Sequence, residues 1–324
     1  MTKHTHLLLA LAVVLLMPLL MQSGSLASEV LIFGLAAMGC NLLLGFTGLL
    51  SFGQGIFFGL GSYTIALTLT RWPLPMPLAL TLAVVAGALG AAFVGWIAIR
   101  QKGTYFVMLT LAFAQMFYFV AYTATSITGG DNGLLDIPRP SLAVFGHVLW
   151  PLTSPWQFYS FVAVIFMAAF WLLLKVSRST FGRTLLAVRD NEERAGAIGY
   201  NLKLLKLQAF VISGAVTGLA GALHAMMTGI APLSNAEYHT SEMILVMTVI
   251  GGTGNLFASV LGSAFYLLLG DWLSSLWPRW LLLLGLVLIA VSLWMQRGLW
   301  GLGEKLWGLI RSKRPSVSSK GEQA

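Results

Sequence analysis

Ten apolar runs, near residues 7–22, 30–46, 50–70, 77–99, 104–124, 157–174, 207–226, 241–251, 256–270 and 280–296, leave little of this 324-residue chain for anything else. A bilayer core of about 30 Å takes roughly 20 apolar residues per helix. Inside it the backbone must satisfy its own polar groups, which leaves helices or closed barrels. The runs are continuous rather than alternating, and that excludes the barrel pattern. The expected fold class is therefore all-α: a polytopic helical membrane protein with about 8–10 transmembrane helices, some broken at glycines. Charge agrees, since Asp, Glu, Lys and Arg make up 9% of the chain, against about 25% in soluble proteins. The run 241–251 is short enough to be a re-entrant half-helix.

The formal charge of +8 would suggest nucleic acid in a soluble protein. In a membrane chain the first explanation is basic cytoplasmic loops, and no nucleic-acid partner is expected. With the N-terminus inside and ten crossings, 16 of the 19 basic residues fall on the cytoplasmic side, and only Arg71, Arg139 and Arg279 fall outside. Both termini are predicted to be cytoplasmic. Residues 1–28 hold a first helix with signal-like flanks, Lys3 before it and Ser25-Leu26-Ala27 after it. An ordinary first transmembrane helix is the preferred reading over a cleaved signal. Residues 29–298 form the transmembrane domain, with a charged cytoplasmic loop at 175–206 and a Gly-, Pro- and Ser-rich external stretch at 125–156. Residues 299–324 form a basic cytoplasmic tail, disordered over 311–324 and drawn to an anionic leaflet.

Two glycine segments stand out. Gly45-Phe46-Thr47-Gly48-Leu49-Leu50-Ser51-Phe52-Gly53-Gln54-Gly55 is echoed by Gly251-Gly252-Thr253-Gly254-Asn255-Leu256. Paired Gly-interrupted spans in two halves point to a transport path, while close helix packing through glycine is the competing explanation. Asn41, Gly48, Ser51, Gly53, Gln54, Gly252 and Gly254 are the path candidates. Interhelical hydrogen bonds are the plainer role for Asn41, Ser51, Gln54 and Gln115. Leu50 to Gln54 resembles the signature pentapeptide of ABC ATPases with one change. The chain has no Gly-x-x-x-x-Gly-Lys-Ser/Thr loop to cradle phosphates, so ATP hydrolysis is not expected of it.

In the cytoplasmic loop, Asp190 and Glu193 suit an N-terminal capping pair and Gly199 suits a C-terminal stop. A short helix is predicted around 191–198, either as a docking element for a soluble partner or as an amphipathic segment on lipid headgroups. Here a resemblance enters. Glu193-x-Ala195-x-x-x-Gly199 looks like the coupling motif of ABC importer permeases. Phe181-Gly182-Arg183, Arg189-x-Asn191-Glu192 and Lys206-Leu207-x-Ala209-Phe210-Val211-Ile212-Ser213 resemble the permeases of branched-chain amino acid ABC importers. So do the first glycine segment, Gly103-x-Tyr105-Phe106, Thr128-Gly129-Gly130-x-Asn132-Gly133-Leu134, and Gly218-Leu219-Ala220-Gly221. The order is kept over roughly residues 30–295, and the longer of the two paired permease types fits best.

The resemblance implies a division of labour in a bacterial cytoplasmic (inner) membrane. Two cytoplasmic ABC ATPase subunits would bind ATP and Mg, a sister permease would complete the path, and a periplasmic or extracellular binding protein would deliver substrate. This chain would need no cofactor of its own. Docking would fall to Arg183, Arg189, Glu192, Glu193, Ala195 and Gly199, with the small residues packing into a cleft and the charged ones at its rim. Thr128 to Leu134 would be a candidate contact for the binding protein, or a plain external loop. Intramembrane ionisable residues are scarce, His224 being the main one, and no metal or Ser-His-Asp constellation is recognisable. That argues against an enzyme, and against the rival of a gradient-driven secondary transporter. A permease for urea or short amides is the nearer alternative.

Overall fold

The computed structural model describes residues 3–301, apart from positions 22, 73, 139–141, 145–146, 151, 153 and 295–297. The basic tail from 302 onward, with its expected disorder, lies outside the described residues. Each of the ten apolar runs forms a helix: α1 (Lys3–Leu20), α2 (Gly24–Thr47), α3 (Gln54–Thr70), α4 (Met76–Ala98), α5 (Thr104–Thr123), α7 (Pro155–Arg178), α10 (Leu202–Thr228), α11 (Tyr238–Gly251), α12 (Leu256–Leu276) and α13 (Trp280–Trp294). Between them lie three short helices, α6 (Thr125–Thr128), α8 (Thr180–Asp190) and α9 (Glu192–Ala197), and a hairpin of β1 (Leu142–Val144) with β2 (His147–Trp150). Six of the helices, α2, α4, α5, α7, α10 and α12, are long and apolar enough to cross a membrane. The protein is a multi-pass, all-α membrane protein, with one small hairpin among the described residues.

Several helices begin earlier than hydropathy suggests. α2 starts at Gly24 and α10 at Leu202, because their first turns are amphipathic but still pack. Among the six membrane-length helices α2 is the most buried, with 94% of its most apolar stretch covered, and α5 the least, with 22%. α1 packs on α7, where the Tyr159 hydroxyl donates to the Val14 carbonyl at 2.6 Å.

Glycine sets the closest approaches. A Cβ at Gly61 would overlap the Gly218 carbonyl, and one at Gly221 would overlap the Phe58 carbonyl, so α3 and α10 meet backbone to backbone. On the other side of α10, a Cβ at Gly87 would lie 2.5 Å from the Gly214 carbonyl, which brings α4 equally close. Small residues do this work in membranes because lipid is as apolar as the side chains and association rests on packing.

The connections gather at two ends of the bundle. At one end the Arg71 guanidinium donates to the Ser126 carbonyl at 2.5 Å, and Leu134 pairs with Ala231. At the other end lie 48–53, 99–103, α8, α9 and 252–255, tied by the contacts described below. α11 spans only 14 residues, about 21 Å at 1.5 Å per residue, short of the roughly 30 Å hydrocarbon core. In its first turn Ser241 is buried, and its Oγ accepts from the Gly55 amide at 2.7 Å. The first turns of α3 and α11 therefore meet, and α11 is a half-length helix that, with the turn before it, runs from the Ala231 end of the bundle to the 252–255 end.

Candidate functional site

The two glycine segments touch. α2 ends at Gly48, whose φ of 73° is the left-handed geometry glycine adopts without penalty, and α11 ends at Gly252. A Cβ at Gly45 would overlap the Gly254 backbone. Helix ends inside a membrane leave carbonyls and amides unpaired, and something must satisfy them. Here that group is Asn41, fully buried in α2. Its Nδ2 donates to the Asn255 carbonyl at 2.9 Å, the Gly252 carbonyl at 3.3 Å and Ser259 Oγ at 2.7 Å. Its Oδ1 accepts from the Gly254 amide at 2.9 Å. One amide side chain thus holds the whole α11–α12 turn against α2.

The charged loop at 175–206 reaches this junction directly. Arg189, in the last turn of α8, donates from Nη1 to the Gly45 carbonyl at 2.5 Å. Its stem lies against Gly48, where an added Cβ would meet Arg189 Cγ at 3.1 Å. On its free side the same guanidinium pairs with Asp190 at 3.1 Å. The sequence-predicted coupling and path residues are therefore not separate sets, since Arg189 joins them.

The other path candidates are braces. Gln54, fully buried at the start of α3, donates to Ser213 Oγ at 3.1 Å and accepts from the Thr217 hydroxyl at 2.8 Å. Ser51 Oγ accepts from the Gly53 amide at 3.1 Å, which turns the chain into α3. In this conformation Asn41, Ser51 and Gln54 are buried and paired within the chain, so none of them lines an open passage. The interhelical bonding weighed in the sequence is what the geometry displays for Asn41 and Gln54, whereas Ser51 bonds within its own loop and Gln115 is exposed on α5.

The coupling candidates divide sharply. Glu192 opens α9 and pairs with Lys206 at 2.9 Å and Lys102 at 3.4 Å, tying α9 to α10 and to the α4–α5 connection. Partial burial would raise its carboxyl, but the Lys206 hydrogen bond and charge, helped by Lys102, hold it below the ordinary 4.5. Ala195 is 4% exposed. Neither fits the expected role at a partner's rim or cleft, because both already face this chain. Arg183, Glu193 and Gly199 are exposed, together with Ile198 and Tyr200.

The cap also differs by one residue from the expectation. Asn191, not Asp190, caps α9, its Oδ1 accepting from the Arg194 amide at 2.8 Å. The reason is α8: Gly182, Leu185 and Val188 form a buried face that carries the helix through Asp190. At the other end Gly199 does close α9, with φ at 96°, its amide bonded to the Gly196 carbonyl and that of Tyr200 to Ala195.

At the opposite end, Thr128 to Leu134 is tightly built rather than loose. Thr128 Oγ1 donates to the Ala121 carbonyl at 2.5 Å and accepts from the Gly130 amide at 3.2 Å. Gly133, at φ 67°, leaves no room for a side chain against Ala231. His224 sits between Phe33 and Phe58, with Nδ1 3.4 Å from the Asn235 side chain.

With this geometry in hand, comparison with known proteins is decisive. The family model for the permease component of branched-chain amino acid transport systems matches residues 23–292. The chain belongs to that family. It is 27% identical to the high-affinity branched-chain amino acid transport system permease protein LivM of Salmonella typhimurium, over 99% of this chain and 80% of that one. The LivM of Escherichia coli is also 27% identical, with 95% and 76% covered. The autoinducer 2 import system permease protein LsrC of Photorhabdus luminescens is 25% identical, with 83% and 82% covered. No solved structure matches. The family is one of ABC-type transport permeases rather than enzymes.

For a permease of this family, sequence reasoning missed Thr217 on α10, Ser241, Ser259 and Lys102, and it quoted Ser213 and Lys206 for the resemblance without their pairing roles. Ser213 and Thr217 carried a usable signal, being four apart and so on one helix face. The others carried none, because their partners are distant in sequence.

Proposed function

We propose that this permease is a subunit of an ABC importer that carries branched-chain or related amino acids across a bacterial inner membrane. ATP and Mg would be bound and hydrolysed by two separate cytoplasmic subunits. The observation that carries this reading is the bond from Arg189 to the Gly45 carbonyl. It gives a loop outside the bundle direct purchase on the junction where α2, α11 and α12 meet.

The mechanism is alternating access. Partner ATPases engage the exposed ridge of Arg183, Glu193, Ile198, Gly199 and Tyr200. Their closure displaces α8 and α9 as a unit, since Glu192 ties α9 to α10 and Lys102. Arg189 passes that movement to the glycine junction, and the buried set of Asn41, Gly48, Ser51, Gly53, Gln54, Gly252 and Gly254 rearranges around the path shared with a sister permease. Substrate arrives from a binding protein on the other face, where the Thr128–Leu134 loop stands. The LivM relatives favour branched-chain amino acids, while the LsrC likeness keeps other small solutes within the same scheme. With ten crossings, both termini would lie in the cytoplasm, the side that collects basic residues.

Labelled leucine uptake by the assembled system tests this. Glu193→Lys should abolish uptake and ATPase recovery on pull-down while the chain stays inserted. Normal uptake by that variant would remove the docking ridge. Reporter fusions after Gly133 and Asn201 should read outside and inside respectively, and the reverse pattern would overturn the orientation.

A further inference from the structure

At the end of the bundle that carries α8 and α9, a cavity of about 420 Å³ opens between the last turn of α4 and the first turns of α10. It is lined by Gly95, Trp96, Ile99 and Arg100 on one side and by Asn201, Lys203, Leu204 and Leu207 on the other. We propose that it holds the phosphate headgroup of an anionic phospholipid.

Charge arrangement is the first argument. Four cations lie near this end of α4 and α10, and they are treated differently. Lys102 and Lys206 are both paired with Glu192. Among the described residues, Arg100 and Lys203 have no carboxylate within ion-pair distance, and these two line the cavity. The cavity wall itself contains no acidic residue. Two unneutralised cations facing one concavity recognise an anion, and Asn201 adds an amide donor because only its Oδ1 is engaged, by the Leu204 amide.

The second argument distinguishes a lipid from a soluble anion. The cavity is walled in part by exposed apolar side chains: Trp96 is 60% exposed and Leu204 50%. The Arg100 guanidinium lies 4.7 Å over the Trp96 ring, the arrangement of an interfacial anchor. Running away from it along α4 is an exposed apolar stripe of Leu82, Val85, Leu89 and Phe93 at helical spacing. Acyl chains lie along that stripe while the headgroup sits at its end. Basic pockets between transmembrane helices are a general means of holding anionic lipid.

The test uses the full chain in neutral detergent, with native mass spectrometry counting retained phosphatidylglycerol against phosphatidylcholine. Phosphatidylglycerol should be retained preferentially. Arg100→Gln and Lys203→Gln, both at exposed positions, should each lower retention about fivefold, the equivalent of roughly 1 kcal/mol per cation. Lys175→Gln, which removes a cation over Trp171 at the same end but outside the cavity, should change nothing. Equal retention of phosphatidylcholine, or unchanged retention by the double variant, would overturn the proposal. Displacement by millimolar inorganic phosphate would reassign the cavity to a soluble anion. Loss of lipid on assembly with ATPases would reassign it to a protein contact. Uptake plays no part in these readouts, so the proposal stands or falls separately from the transport reading.

Discussion

Two regions of this permease use glycine for opposite ends. Where α10 crosses α3 and α4, glycines at 61, 87, 214, 218 and 221 bring backbones into contact with scarcely a polar side chain between them, Gln54 alone bridging at the margin. Where α2 meets the α11–α12 turn, glycines at 48, 252 and 254 adopt positive φ and end helices, and the freed backbone groups are gathered by Asn41. The first is a dry contact that depends on shape, and shape admits one arrangement. The second is a set of hydrogen bonds, and hydrogen bonds can be exchanged for others as helices shift. The crossing is thus the rigid frame and the junction the articulated part, and Arg189 touches only the junction.

If that contrast is right, the crossing should be the less forgiving. Gly61→Val places side-chain carbon inside the Gly218 carbonyl, with no flexible neighbour to yield. Overpacking costs typically 1–3 kcal/mol and more where backbone is struck. The expected outcome is loss of the monodisperse peak in fluorescence-detected size exclusion. A folded Gly61→Val chain would show that the crossing is not rigid.

Asn41→Leu comes next. It keeps the volume but strands the Gly254 amide and the Gly252 carbonyl, while the Asn255 carbonyl keeps the Ala258 amide. Each unsatisfied buried group costs about 1–3 kcal/mol, though neighbours in the membrane recover part of it. The chain should still fold, with its melting temperature reduced by several degrees and uptake lost. Arg189→Gln should then separate the two properties: a small stability change, but uptake and ATPase stimulation lost together. Unaltered uptake would mean that the loop does not act through Gly45.

How much of this was open to sequence reading follows from the same contrast. The apolar runs are local properties, and all ten appear as helices because hydropathy over one segment determines whether it enters lipid. The short charged helix was legible from its punctuation, yet its cap fell on Asn191 because the buried face of α8 extends through Val188. The echo between the two glycine segments was visible, but not that they touch, since Asn41 and its partners are 211 to 218 residues apart. Adjacent Glu192 and Glu193 look equivalent in the chain. Only the positions of Lys102 and Lys206 make one an internal tether and leave the other exposed.

Gln54→Met asks whether the crossing has any polar contribution. It removes two hydrogen bonds to α10 while keeping volume, and such bonds in membrane proteins average about 0.6 kcal/mol each. A shift of a degree or two is expected, smaller than for Asn41→Leu. A larger loss than Asn41→Leu would invert the comparison.

The smallest effect belongs to Glu192, and it has a direction in pH. Its carboxyl is held below 4.5 in the folded chain, so its pairing with Lys206 and Lys102 contributes stability that is fully present above that value. The contribution fades as pH falls through the lowered folded value and the carboxylate takes up a proton. Glu192→Gln should therefore reduce stability near neutrality by about 1 kcal/mol, toward the upper end for a partly exposed pair because Lys206 is buried. The same substitution should flatten the decline of melting temperature expected of the parent as pH falls below 4.5. An identical acid limb in both chains would mean that α9 is held by its cap and its packing at Ala195, and that the tether through Lys102 and Lys206 is dispensable.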